Sequence, residues 1–398
     1  MDQLDSNLSH STSDLASNKA ADIQMSSPKT FTISFTGDVM LGRLLDQLMP
    51  EHVINERDER IAGTFKKAHP TLLAKGNYTP ASPWGTALPL LQSSDLTCIN
   101  LETSVTTFPT PWPGKAFNYR MHPANLAPIL HSAAVDYASL ANNHTLDFGI
   151  PGLIETVQTL QQAQIAFAGA GSTAIEARRP AILHLPSSSD PDKEPYTVHI
   201  YSASDHPRDW SRISGFHLFD YTRETRTRLR DMLVSSPAPA LKIFSVHWGP
   251  NYAWQPDRRI RSLAHFLIDE CGVDIVHGHS SHHVQGVEVY KGRLIIYGCG
   301  DFVDDYALNE EYRNDLGALW RVVVSERGGG LGVERLEIVP TRVERFRAKV
   351  LDSTDEDHVW VRRRIRGLSA ELGTTVRFQQ LGSEGEIVVQ VAGGEPTD

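Results

Sequence analysis

Five apolar segments of this chain each run directly into residue types that ligate metals, and this repetition limits the possible folds more than any other feature. The stretch Thr-Ile-Ser-Phe-Thr-Gly-Asp-Val (32–39) alternates like a strand and closes on Gly37-Asp38. Residues 96–100 lead into Asn100-Leu101-Glu102, and 137–140 into Asn142-Asn143-His144 with Asp147 just beyond. Residues 241–246 end in His247-Trp248-Gly249, and 274–276 in His277-Gly278-His279-Ser280-Ser281-His282-His283. Further strands are predicted at 166–168, 197–201 and 294–297. Helices are predicted over 151–162, 222–234 and 257–271, where Ile260, Leu263, Ala264, Leu267 and Ile268 share one face. Strand and helix in alternation predict a layered α/β domain. Ligands of open α/β sheets bind outside the carboxyl ends of the strands, so the five endings point to one convergent site.

Segments outside this rhythm set the boundaries. Residues 1–29 hold seven serines and few apolar positions, the composition of a disordered tail. Residues 30–341 carry the alternation and read as one domain. Residues 342–398 read as a small C-terminal α+β appendage, with an acidic run (Asp352, Asp355, Glu356, Asp357) and a basic run (Arg362, Arg363, Arg364, Arg366) facing solvent. The stretches 51–90 and 106–124, rich in polar, proline and aromatic residues, read as insertions over one end of the sheet, where recognition is usually carried. Forty-eight acidic against 38 basic side chains leave a net charge of −10, so nucleic acid is not an expected partner. No apolar run approaches the ~18 residues of a membrane span, and the N-terminus lacks the order of a secretory signal. The expected location is the cytoplasm. Cys98, Cys271 and Cys299 each lie in or beside an apolar stretch and read as buried free thiols.

Taken singly, the endings are weak. A Gly-Asp after a strand is commonly a turn, Asn-Leu-Glu carries little information, and Asn-Asn-His fits a capped loop. Four histidines within 277–283 are harder to explain structurally. Carboxylate, amide and imidazole donors together suit one or two divalent cations, with Mn, Zn, Fe and Mg not distinguished. A cation pair in such a site clamps substrate oxygens and activates water. His122 and His206 are further pocket candidates. Trp84, Trp112, Trp248, Tyr252 and Trp254 are candidates to wall the pocket or to pack beneath the long loops.

Six motifs, taken jointly, resemble the CapA (PgsA) family of bacterial capsule and poly-γ-glutamate synthesis proteins. They are Phe-Thr-Gly-Asp-Val-Met-Leu-Gly-Arg (35–43), Asn-Leu-Glu-Thr (100–103), Ala-Asn-Asn-His with Asp147-Phe148-Gly149, His-Trp-Gly-Pro-Asn-Tyr (247–252), Gly-His-Ser-Ser-His-His-Val-Gln-Gly (278–286) and Tyr-Gly-Cys-Gly-Asp-Phe (297–302). The resemblance implies a calcineurin-like metallophosphoesterase fold, a layered sheet sandwich flanked by helices. It also implies roles: Asp38 and His282 on one metal, Asn143, His247 and His279 on the other, and Glu102 bridging. His144 would take the place of the proton donor, oriented by Asp147, and Arg43 would hold an anionic group. Asn100, Trp248, Tyr252 and Asp301 would face substrate. The chain departs from the pattern at Met40, where phosphoesterases carry a ligand histidine, and at Asn251, Ser280, Ser281 and Asp301. Two functions remain open. One is a metal-dependent hydrolase or acyl-transfer enzyme acting on a small or peptidic anionic substrate, through an amide, γ-glutamyl or phosphate ester bond. The other is a non-catalytic binding or assembly protein for an acidic polymer such as poly-γ-glutamate.

Overall fold

The alternating side chains of the strand Thr30–Val39 fix the layering, because Phe31, Ile33 and Phe35 point into an apolar core between two sheets. The computed structural model describes residues 29–73, 77–187, 194–234, 237–327, 330–378 and 386–392. The tail expected over 1–29 therefore lies, apart from Lys29, outside the described residues.

Among the described residues the larger sheet has 10 strands. Its main path runs Arg377–Phe378, Ile387–Gln390, Gly330–Val343, Leu316–Arg327, Thr30–Val39, Leu96–Leu101, Tyr137–Ser139, Ala166–Ala168. Asp301–Val303 joins the first strand in parallel, and Ala348–Val350 pairs with Gly330–Val343. The smaller sheet has 6 strands, in the order Val287–Tyr290, Arg293–Ile296, Ile275–His279, Leu241–His247, Tyr196–Ser204, Ala181–Leu185. Ile200, Ile243, Ile275 and Ile296 of this sheet meet Phe31, Ile33, Trp320 and Val322 of the other. Each such side chain, fully buried, contributes roughly 1.5–3 kcal/mol.

Helices cover both outer faces. Pro123–Ser132 and Gly149–Gln162 pack Leu126, Ile129, Leu153 and Val157 with Ile99 and Leu101 of the larger sheet. Arg223–Leu233 and Arg258–Asp269 pack Leu229, Leu263 and Leu267 with Tyr201, Phe244 and Val246 of the smaller one. Asp257 starts the latter helix by accepting from Arg259 N and Ile260 N, a cap whose loss costs ~1 kcal/mol. The result is the expected α/β layered sandwich, helices outside and two sheets within. Cys98, Cys271 and Cys299 are buried and free. No helix among the described residues is long and apolar enough to cross a membrane.

Two boundaries differ from the sequence reading. The break expected after residue 341 falls inside the strand Gly330–Val343, and the segment beyond it extends the larger sheet. Val361, Ile365, Val376, Ile387 and Val389 share the inter-sheet core, so this segment is integral to the domain and not set apart from it. The stretch 51–90 is not an open loop: it holds the helices Glu56–Ala68, Pro70–Leu73 and Leu88–Gln92.

Candidate metal centre

Strand register brings the donors abreast. Asp38 lies opposite Asn100 on one neighbouring strand and opposite Asp301 on the other. In the smaller sheet His247 lies opposite His279. Adjacent strands are ~4.8 Å apart, so each pair presents its side chains as neighbours at the carboxyl edge. The approach of Asp301–Val303 to the first strand depends on glycine. A Cβ on Gly37 would stand 1.7 Å from Gly300 O, and Gly300 itself has φ +79°.

Two groups of donors form there. Asp38, His247 and His279 each place one ligand atom within 4.8 Å of the others, and so do Asp38, Glu102, His282 and Asp301. All are buried. Asp38, not Glu102, is common to both groups, and Asp301, expected to face substrate, sits among the carboxylates. Five atoms of these donors have no hydrogen-bond partner among the described residues: Asp38 Oδ2, both Glu102 oxygens, His247 Nε2 and Asp301 Oδ2; Asn143 Oδ1, one residue before His144, is likewise buried and unpartnered there. Unpaired buried carboxylates are among the most costly groups a fold can hold. Burial, then the Asp38 charge, pushes the Glu102 carboxyl well up. Burial, then Asp304 and Asp38, does the same to Asp301. Burial and neighbouring imidazoles press His247 and His279 well down. A divalent cation would relieve all of these together, since it supplies positive charge to the carboxylates and takes the lone pairs of neutral imidazoles. The donor set, oxygen and imidazole without sulfur, fits such an ion.

Around these donors the supports are specific. Asn100 Nδ2 donates to Asp38 Oδ1 at 2.7 Å and Asn100 Oδ1 accepts from Asn142 at 3.0 Å. Asn100 is fully buried and orients Asp38, so its expected place against substrate is corrected. His282 Nδ1 lies 2.8 Å from Asp301 Oδ1 and 3.4 Å from Asp38 Oδ2. His277 and His283 stay outside both groups: His277 Nε2 meets Thr36 O at 2.8 Å, and His283 Nδ1 meets Val284 O at 3.1 Å. Arg43, Tyr252, Ser280 and His282 all have positive φ (50°, 59°, 99° and 59°). Left-handed backbone at non-glycine residues is costly and concentrates at functional sites.

His144 follows Asn143 in the chain. Its Nε2 is 3.9 Å from Glu102 Oε1, its Nδ1 is 2.6 Å from Asp147 Oδ2, and Tyr119 stacks on its ring at 3.8 Å. Asp147 Oδ2 also accepts from Tyr119 N at 2.6 Å. Lys115 ion-pairs with Asp147 Oδ1, donates to Asn143 O and lies 3.1 Å from His144 Nδ1. Burial lowers the His144 pKa to about 4, against the pull of Asp147. Sequence reasoning singled out His144 and Asp147 but missed Lys115, which comes from the proline-rich stretch 106–124.

The remaining candidates divide. Arg43 pairs with Asp305 at 3.4 Å and lies over the Tyr119 ring, at the border of the His144 network. Tyr252 and Tyr306 bracket His282, with ring centroids 5.9 and 5.3 Å away. Trp248 is corrected to a core residue, buried against Tyr297 with its indole N–H donating to Tyr297 O at 2.9 Å. Trp84 is likewise core. Trp112 packs edge-on against the buried Trp210. Trp254 stacks on Tyr312, and Arg364 of the helix Glu356–Glu371 covers it. His122 caps a helix, its Nδ1 accepting from Ala124 N at 3.2 Å. His206 lies beside His247, rings 5.1 Å apart.

Comparison with known proteins matches this arrangement to a family. The model of the bacterial capsule synthesis protein PGA_cap matches residues 32–306. A Mycobacterium tuberculosis protein named "Probable polyglutamine synthesis accessory protein" is 34% identical over 367 residues, covering 88% of this chain and 94% of that one. Capsule biosynthesis protein CapA of Bacillus anthracis is 22% identical over 344 residues, covering 83% of this chain and 72% of that one. Among solved structures, a calcineurin-like phosphoesterase from Bacillus subtilis aligns with a TM-score of 0.41 at 10% identity, over 85% of this chain and all of that one.

Proposed function

This chain belongs to the bacterial capsule synthesis protein family PGA_cap, and we propose that it is a metal-dependent hydrolase or acyl-transfer enzyme acting on a small or peptidic anionic substrate. One observation carries the reading: five buried atoms of Asp38, Glu102, His247 and Asp301, residues that converge in the two donor groups, have no hydrogen-bond partner among the described residues. Asp38, His247, His279 and Asn143 would hold one divalent cation, and Asp38, Glu102, His282 and Asp301 a second. Bound there, the ions supply Lewis-acid polarisation of a substrate carbonyl or phosphoryl oxygen.

The chain's own residues do the rest. His144 presents Nε2 at the Glu102 side and carries the proton released by the attacking water to the leaving group. Asp147, anchored by Lys115 and Tyr119 N, holds the imidazole through Nδ1. Tyr119 keeps the ring flat against a wall that excludes water from one face. Arg43 engages an anionic part of the substrate, exchanging its hold on Asp305.

The relatives' printed names favour a second reading, an accessory role in polymer synthesis in which the same site binds an acidic chain without turnover. Metal content of the purified protein, followed by a screen of phosphate esters against γ-glutamyl amides, tests both. Metal-dependent turnover of either class supports the enzyme; stoichiometric metal with binding and no turnover supports the accessory role. Absence of bound metal after incubation with Mn²⁺ and Zn²⁺ rejects the site.

A further inference from the structure

A second imidazole–carboxylate pair adjoins the donors, on strands that the His144 network does not use. The strand Tyr196–Ser204 runs parallel to Leu241–His247, with Ser204 opposite His247, so Asp205 and His206 emerge at the same carboxyl edge as the proposed ligands. His206 Nδ1 lies 2.5 Å from Asp205 Oδ1. The other Asp205 oxygen accepts from Tyr221 OH at 2.6 Å and from Gly249 N at 3.0 Å. The backbone is tied as well: Asp205 N donates to His247 O at 3.1 Å, and Ser204 Oγ donates to His206 O at 2.6 Å.

Such fixation is more than a packing histidine needs. A buried structural imidazole normally satisfies both nitrogens, as His277 does with Ser245 and Thr36. His206 uses only Nδ1 among the described residues, and 29% of its side chain stays open to solvent beside His247. A carboxylate holding Nδ1 leaves Nε2 to meet a ligand, the same division of labour as in the His144–Asp147 pair. The His206 ring therefore lies beside that of the proposed cation ligand His247 and is not itself within either donor group.

We propose that His206 is an oxyanion-binding residue of this site, contacting through Nε2 a phosphoryl or carboxyl oxygen of the ligand, with Asp205 as its positioning residue. This rests on the metal reading given above, because the cations would bring the oxyanion to the His247 edge. Truncation of His206 removes its hydrogen bond, and the bound anion is left with one contact fewer.

Inorganic phosphate is the probe, titrated calorimetrically into full-length protein loaded with Mn²⁺, with metal content and melting temperature measured on the same preparation. His206→Ala should weaken phosphate binding by about 10-fold or more, with metal content and melting temperature close to wild type. His206→Gln, whose amide nitrogen reaches toward the same place, should recover part of the loss, and Asp205→Asn should fall between wild type and His206→Ala. Equal phosphate affinity in wild type and His206→Ala, with metal retained, overturns the proposal and leaves the metal site standing. Loaded wild-type protein that does not bind phosphate overturns it too. Loss of metal in His206→Ala and His206→Gln alike overturns it in favour of a purely structural role beside His247. Failure of the wild type to take up metal rejects the metal reading, and this proposal with it.

Discussion

Two groups of buried polar residues meet at Glu102, and they are built in opposite ways. On one side, Asp38, Glu102, His282 and Asp301 crowd three carboxylates together and leave most of their oxygens without hydrogen bonds among the described residues. On the other, Asp147 is met by Lys115, Tyr119 N and His144, and its oxygens are all engaged. The carboxylates of both groups are fully buried, so solvent access does not separate them. The first leaves groups that the proposed cation would satisfy; the second is finished in the polypeptide alone. Orphaned donors mark where a ligand is expected, and satisfied networks mark where geometry is being held.

The strongest test of this contrast removes the shared carboxylate. Asp38→Ala should abolish metal binding in both donor groups, whereas His247→Ala with His279→Ala should remove at least one equivalent. Without metal the order of stability should invert. With chelator present, Asp38→Asn relieves repulsion among Asp38, Glu102 and Asp301 and should melt above wild type; with Mn²⁺ it should melt below. Metal analysis and paired thermal scans decide it. Retention of full metal content by the double histidine variant would exclude the assignment.

The satisfied side should respond through rate rather than occupancy. His144→Ala removes a proton carrier but no proposed ligand, and general acid–base groups contribute roughly 10²–10⁴-fold. Turnover should fall by that order while metal content holds. Wild-type turnover in this variant would reject the role of His144. Equal loss of metal and turnover would make it a support of Asn143 or Glu102 instead.

The same contrast explains what was legible in the sequence. Ligand candidates sit at strand ends, and strands announce themselves by apolar runs, so Asp38, Glu102, Asn143, His247 and His279 stood out by position, and the structure gathers all of these but Asn143 into the two donor groups. Strand position alone did not say which histidines of 277–283 enter the donor groups; the family resemblance pointed to His279 and His282, the two that do. His277 and His279 share a strand face, yet only His279 reaches the carboxyl edge, and His282 owes its place to a left-handed backbone. Lys115 was missed because a loop lysine has no periodicity to betray it; only the tertiary return of 106–124 over the sheet brings it to Asp147. Trp248 was misplaced because a tryptophan beside a ligand histidine alternates inward along its segment, toward the helix Arg258–Asp269. The hairpin of Leu316–Arg327 and Gly330–Val343 is buried on both faces over most of its length, which hides the period-two signal. The helix Glu56–Ala68 fully buries only Ala62, and its apolar face of Ile61, Ala62 and Phe65 is narrow. Its signals were the Asn55 cap, the acidic first turn and the basic last turn.

Lys115→Met probes the satisfied network from its own anchor. It leaves the Asp147 carboxylate buried with one partner fewer. Fully buried pairs broken on one side cost more than exposed ones, and Lys115 retains 19% side-chain exposure, so a loss of about 1–3 kcal/mol is expected. Turnover should drop less than in His144→Ala, because Tyr119 N still holds Asp147. Denaturant unfolding and kinetics on the same variant check both. Unchanged stability with unchanged turnover would show that the lysine merely covers the pair.

The smallest effect is a pH dependence on the unsatisfied side. Asp304 is buried, with Oδ1 accepting from Tyr306 N at 2.7 Å and Oδ2 without a partner. Burial, with the Asp305 charge adding to it, raises its pKa to about 7, against ~3.9 in an unfolded chain. A carboxyl raised on folding binds its proton more tightly in the native state. Its contribution is therefore fully present below the unfolded value and is lost as pH climbs through the folded one. Metal-free wild type should lose melting temperature from pH 5 to pH 8 through this group, and Asp305, raised to about 6, should add in the same direction. His217 acts oppositely: burial lowers it to about 4, so its contribution is lost only as pH falls from near 6.5 toward that value. Asp304→Asn separates them, since it deletes one carboxyl titration and leaves the histidine. With chelator present, the difference in melting temperature, variant minus wild type, should rise between pH 5 and pH 8. A difference independent of pH would mean that Asp304 finds its missing partner in solution and belongs with the satisfied residues.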